Sequence, residues 1–273
     1  MQFTHAIVRP PARTFAAGLS SAAEGAPDLG KALDQHARYV QALRDCGLEV
    51  SSLDPDDAYP DSTFVEDTAI MTQRGAILMR PGAPSRAGET ASMKTCLQNL
   101  HAELPAIEAP GTVDGGDICE ADGPFLIGVS TRTNEHGARQ LAQHLRRWGY
   151  ASSVIDIRAN PALLHLKSGI AYLGGGLWVV QAGIERELRS HTGIDVRDVI
   201  TVTPEEAYAA NCVRVNGAVL VPAGYPLLSS AVEARGCRLV RLEMSEFRKM
   251  DGGLSCMSLR FHEAHGDASI TSP

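Results

Sequence analysis

The sequence predicts an α/β fold built from five related units, and three observations predict it. Apolar segments of helical period alternate with short β-branched runs. A plan of helix, glycine and strand occurs twice in nearly the same form. Clusters of polar and reactive residues return along the chain at an almost constant interval.

Taken in order, KALDQHARYVQALRDCG reads as an amphipathic helix from about Lys31, stopped by Gly47 and followed by the strand-like LEVSSL. TNEHGARQLAQHLRRWG repeats the plan, with Gly149 as the stop and ASSVIDI as the strand. Five extended segments carry the clusters: TFVEDTAIM around Glu66, TVDGGDICE around Asp114, LHLKSGIAYL around His165, AANCVRVNGAVL around Asn211 and LSCMSLRF around Cys256. Subtracting these positions gives intervals of 48, 51, 46 and 45 residues. Units of this length point to a radial or stacked array of supersecondary repeats. An ordinary α/β sheet with evenly spaced strands would give the same alternation. In a radial array each unit sends one strand toward a common axis, so groups distant in sequence converge on one cavity.

Composition narrows the function. With 273 residues, 44% of them hydrophobic, the chain can bury the core of one large domain or two small ones. A net charge of −7 and the lack of any basic block beyond a few residues argue against nucleic acid as a partner. The N-terminus MQFTHAIVRPP has no basic segment followed by an apolar one, and no run of eighteen apolar residues occurs, so neither secretion nor membrane insertion is expected. Six cysteines without a CxxC pair fit reduced thiols of the cytoplasm, leaving any of them free to act as a nucleophile.

Cys256 follows an acidic Gly-Gly turn in DGGLSCMSLRF. A thiol with a pKa near ~8.5 is mostly protonated at neutral pH, so a catalytic cysteine needs a base or a positive neighbour. His165, beside Lys167, is the candidate partner. Glu66 and Asp67 are adjacent within an apolar pattern, where alternation turns at least one carboxylate inward and demands a cation: an arginine, a metal or a cationic substrate. Asp114 and Asp117 flank a Gly-Gly pair, and a carboxylate there can orient a histidine. A catalytic metal is disfavoured, since no HxxxH or HxxE pair offers two ligands from one helix face. GxxxxGK and GxGxxG loops are also missing, which disfavours a nucleotide cofactor.

The motifs PDSTFVEDTAIM, RPGAPSR, VDGGD, STRTNEHGA, HLKS, AANC and DGGLSCMSL, in this order, resemble the dimethylarginine dimethylaminohydrolases of the guanidine-modifying (pentein) superfamily. The likeness runs from about residue 18 to Phe261. It implies a five-bladed pseudo-symmetric α/β propeller of ββαβ repeats with a central active site, forming one catalytic domain over residues 1–273. The polar tail after about residue 261 is expected to add no chemistry.

The resemblance implies hydrolysis of Nω-methylated arginine to citrulline and an alkylamine without metal or organic cofactor. Cys256 takes the place of the nucleophile, His165 of the general acid and base, and Asp114 of the carboxylate that orients it. Glu66 and Asp67 stand where the guanidinium is bound. Arg86 and Arg132 stand where the α-carboxylate is clamped, Asp61 on the α-amino side, and Leu19 in a segment resembling a lid. Asn211 and Asp251 are expected to hold turns or strand ends. The expected partner is the small-molecule substrate, with a homodimer as the assembly considered. The rival readings are an arginine deiminase on the same scaffold, a non-catalytic propeller that binds a partner, and a metal-dependent amidinohydrolase.

Overall fold

Asp28 begins the first long helix: its carboxylate accepts from Lys31 N at 2.9 Å, and the helix runs Leu29–Asp45 until Gly47 adopts a φ of +89° that glycine takes at little cost. Asn134 caps the second predicted helix in the same way, Glu135–Arg147, which ends before Gly149 at φ +81°. Both predicted strands follow, at Glu49–Ser52 and Ser152–Asp156. The computed structural model describes residues 2–191 and 193–263, so the polar tail lies largely outside the described residues.

Among the described residues the strands form five small, separate sheets. Three share one plan: an antiparallel hairpin, a helix and a third strand parallel to the second. They are Ile118–Glu120, Phe125–Val129 and Ser152–Asp156; Ile170–Gly174, Leu177–Gln181 and Asp198–Val202; and Val213–Val215, Ala218–Pro222 and Arg238–Leu242. A fourth is the hairpin Ala69–Thr72 with Gly75–Leu78, extended only by a parallel bridge from Leu78 to Ala106. The fifth joins the two ends of the chain, with His5–Val8 antiparallel to Leu259–Phe261 and parallel to Glu49–Ser52. The ordinary continuous sheet is therefore not what forms.

The middle strands Phe125–Val129 and Ala218–Pro222 are buried along their whole length, as strands covered on both faces should be. Each of five apolar clusters packs side chains from two sheets. Ile7 and Leu259 share a cluster with Ala76 and Leu78, Ile77 with Ile127, Leu126 with Trp178, Val179 with Val219, and Leu220 with Val8. No helix among the described residues is long and apolar enough to cross a membrane.

The sequence predicts the reactive clusters on strands, and here the structure differs. Val65–Thr68 and Gly115–Asp117 are short 3₁₀ turns, His165 caps the one-turn helix Leu166–Gly169, Asn211 ends the 3₁₀ segment Pro204–Ala210, and Cys256 lies in a turn. Each precedes the first strand of its sheet, or for Cys256 the strand Leu259–Phe261. A carboxylate or thiol in mid-strand would face packed apolar side chains, whereas the turn at a strand's start has backbone N–H groups to offer.

Candidate active site

The five turns touch one another in succession. Gly116 N donates to Asp67 Oδ1 at 2.8 Å, Leu166 N to Asp117 Oδ1 at 2.9 Å, and Asn211 Nδ2 to the Lys167 carbonyl at 2.9 Å. Ser255 N donates to Asn211 Oδ1 at 2.9 Å, and Glu66 N to the Cys256 carbonyl at 3.1 Å. Glycine is required at this approach: a Cβ on Gly115 would lie 1.9 Å from the Glu66 carbonyl, and one on Gly116 2.7 Å from His165 Nδ1. Cys256, His165, Glu66, Gly116 and Lys167 line one cavity of about 620 Å³.

His165 Nε2 lies 3.0 Å from Asp114 Oδ2, both groups buried. Burial works to lower the imidazole's pKa, but Asp67, Asp114 and Asp117 outweigh it and raise the group to about 9. Cys256 is half-buried, and Gly253 N points at its sulfur from 3.4 Å. Burial, then Glu66 and Asp67, push the thiol up to about 12, against the smaller pull of Gly253 N–H and Lys167. The side facing the sulfur is thus acidic, an environment that a cationic ligand relieves.

The two adjacent acids already have protein counter-ions. Lys167 Nζ pairs with Glu66 Oε1, while Ser255 Oγ donates to Oε2 at 2.9 Å. Arg86 Nη1 holds Asp67 Oδ2 at 2.6 Å; burial opposes ionisation of Asp67, but His165, Arg86 and Gly116 N–H bring its pKa down to about 2. Of the cations the sequence left open, Arg86 is the arginine at Asp67 and Lys167 a lysine at Glu66, and each carboxylate keeps free lone pairs for a further donor.

Arg86 is no surface arginine. It is buried, its Nε and Nη2 bind Glu89, and Nη2 also reaches the Phe64 carbonyl at 3.1 Å. Of its five N–H donors, a single Nη1 hydrogen is left uncommitted. Arg132 is half-buried and its guanidinium has no partner among the described residues, while its charge reaches Asp61. Asp61 is buried and accepts from Leu19 N at 3.1 and 3.2 Å; burial raises its pKa despite Arg86. Leu19 itself is exposed. Its segment is tied down on the other side, Ser20 Oγ donating to the Lys249 carbonyl at 2.7 Å and Ser21 N to Asp251 Oδ2 at 2.6 Å. Asn211 and Asp251 thus hold turns together, and Asp251 does so at a φ of +55°.

Asp67, Asp114 and His165 present donor atoms all within 4.8 Å of one another, a convergence that ligand spacing in the sequence did not reveal. Those atoms are committed: Asp67 to Arg86 and Gly116, Asp114 to His165 and to Gly82 N at 2.7 Å. A cation there would have to displace Arg86 and part the histidine from its carboxylate. The arrangement suits proton transfer at an imidazole that shares a cavity with a thiol.

The family model described as arginine deiminase matches residues 56–214. An N(G),N(G)-dimethylarginine dimethylaminohydrolase of Pseudomonas aeruginosa is 44% identical over 95% of this chain and 100% of its own. The chain belongs to the dimethylarginine dimethylaminohydrolase family. The solved Pseudomonas aeruginosa enzyme in complex with citrulline superposes with a TM-score of 0.90 at 42% identity, covering 96% of this chain and 100% of that one. A dimethylarginine dimethylaminohydrolase adduct with S-methyl-L-thiocitrulline gives the same TM-score and identity over 95% of this chain and 100% of that one.

Within this family member, sequence reading missed Lys167 as the partner of Glu66, Glu89 as the partner of Arg86, and Ser255 as a second donor to Glu66. Lys167 carried a usable signal, a lone cation two residues after His165. Glu89, three residues after Arg86 on a short turn, carried another.

Proposed function

We propose that this protein hydrolyses Nω-methylated L-arginines to L-citrulline and dimethylamine or methylamine, without metal or organic cofactor. The observation that carries the reading is a thiol and a carboxylate-bound imidazole lining one acid-walled cavity, in a chain 44% identical to an enzyme of that name. The Cys256 sulfur attacks the guanidinium carbon, and its proton is released as the cation settles against Glu66 and Asp67. His165, charged at neutral pH, gives a proton to the departing amine nitrogen as the C–N bond breaks, leaving a thiouronium. The neutral imidazole then takes a proton from water, the oxygen adds to the same carbon, and the C–S bond breaks to return the thiol and citrulline. Asp114 keeps the ring oriented throughout.

Arg132 takes the larger share of the α-carboxylate, joined by the one uncommitted hydrogen of Arg86, while Asp61 serves the α-amino group. Leu19 closes the cavity from outside. The fold we assign is a five-bladed α/β propeller forming one catalytic domain over residues 1–273. The apolar clusters support it, each linking one sheet to the next and the last back to the first. Cytoplasmic placement rests on unpaired thiols, and a homodimer is left to sedimentation analysis.

The test is citrulline formation from arginine, monomethylarginine and asymmetric dimethylarginine by the wild type and by Cys256→Ser. Turnover of the methylated substrates, lost in the variant, is expected. Arginine as the best substrate would transfer the chain to the deiminase reading, and no turnover of any guanidine would favour a binding module.

A further inference from the structure

We propose that Asp117, the second acid of the VDGGD turn, is a positioning residue that fixes His165 and Arg132 in one frame, a proposal that rests on the active-site reading above. Asp117 is completely buried and lies behind the residues that line the catalytic cavity, not among them. Its Oδ1 accepts from Leu166 N at 2.9 Å, the peptide that follows His165 and begins the turn presenting the imidazole. Its Oδ2 accepts from Ser130 Oγ at 2.7 Å. Ser130 Oγ in turn accepts from Arg132 N at 3.0 Å and Thr133 N at 3.1 Å, and Thr133 Oγ1 accepts from Asp114 N at 3.1 Å. One carboxylate therefore reaches the acid and base, the residue that orients it and the arginine free to bind the substrate's far end. Gly128 makes the room: a Cβ there would lie 3.0 Å from Asp117 Oδ1 and 2.9 Å from Leu166 Cβ.

The donor count explains why the residue is an acid. Both Asp117 oxygens accept, from Leu166 N and Ser130 Oγ with the Thr133 side chain as a further hydrogen-bond partner, so an amide of the same shape leaves at least one donor unserved. Were the amide NH₂ turned to Ser130, its hydroxyl oxygen would face a third donor after Arg132 N and Thr133 N and its own hydrogen would lose its acceptor. Two branches result and are separable. The Leu166 branch acts on His165, whose charged neighbours are Asp67, Asp114 and Asp117, with Glu66, Lys167 and Cys256 across the same cavity. The Ser130 branch acts on Arg132.

The experiment measures citrulline formation against pH for wild type, Asp117→Asn and Ser130→Ala, with rates expressed per alkylatable Cys256 so that misfolded molecules drop out. Ser130→Ala should raise KM for asymmetric dimethylarginine about tenfold with kcat within about threefold, since Arg132 N loses its acceptor directly whereas Asp114 is reached only through Thr133. Asp117→Asn should lower kcat by about ten- to a hundredfold and bring the alkaline limb of the profile to lower pH, because a carboxylate facing the imidazolium is gone. Per-site parameters and a pH limb equal to wild type in both variants would overturn the proposal. If Asp117→Asn does not fold, an unchanged KM in Ser130→Ala overturns it alone. If the wild type turns over no methylarginine, the functional reading has failed, and the imidazole titration by NMR in wild type and Asp117→Asn still decides: a lower value in the variant supports the positioning role, and an equal one ends it.

Discussion

Cys256 gives the sharpest prediction, because its surroundings oppose the thiolate its chemistry needs. With the thiol at about 12 against an ordinary 9.0, the thiolate fraction at pH 7 is about 10³ times smaller than for a free thiol. The more basic sulfur is intrinsically more nucleophilic, and a Brønsted slope of about 0.4–0.5 returns roughly 16- to 32-fold of that loss. Neutral iodoacetamide should then alkylate Cys256 some 30- to 60-fold more slowly than a free thiol, at a rate climbing about tenfold per pH unit without a plateau below pH 10. A haloacetamidine, whose amidinium places positive charge between Glu66, Asp67 and the sulfur, should escape much of that penalty at pH 7. Mass spectrometry of the peptide carrying Cys256 follows the reaction site by site, with Cys256→Ser as the blank for the other five cysteines. A plateau below pH 8 with neutral iodoacetamide would refute the reasoning, since it would mean a resting thiolate paired with His165.

Three other predictions follow from the same geometry. Lys167→Met should lower stability by about 3–5 kcal/mol, because it leaves Glu66 buried without its cation, and Lys167→Met combined with Glu66→Gln should recover most of it in urea melts; a single-variant loss under about 1 kcal/mol would show that water replaces the lysine. His165, raised to about 9, should contribute stability that is complete below its unfolded value near 6.5 and fades as pH rises through 9; the stability difference between wild type and His165→Asn should shrink over that window, and kcat/KM should fall above pH 9 as the acid form is lost. Gly116→Ala, which drives a methyl into His165 Nδ1, should cost about a hundredfold in kcat/KM, whereas Gly217→Ala, with open space around it, should leave activity unchanged.

Much of the fold was legible because its signals are local. Gly47 and Gly149 end helices through backbone freedom, Asp28 and Asn134 start them through side-chain caps, and a strand follows each helix at once. The interval between Glu66, Asp114, His165, Asn211 and Cys256 was legible too, since each occupies the same turn of a recurring unit. The pairing of charges was not. Whether Glu66 awaits a ligand or holds Lys167 depends on two turns 101 residues apart, and nothing in FVEDTAIM encodes the answer.

By itself the sequence determined which residue types stand at the start of each unit's inner strand, and so the kind of chemistry available: a thiol, an imidazole and a ring of carboxylates. Only the tertiary structure decided how those charges are shared. It gave Asp67 to Arg86, Glu66 to Lys167 and Asp114 to His165, and left the Arg132 guanidinium without a partner among the described residues. The reason is physical: Coulomb energy between buried groups depends on separations of a few ångströms across the cavity, which packing of distant turns sets and local sequence does not.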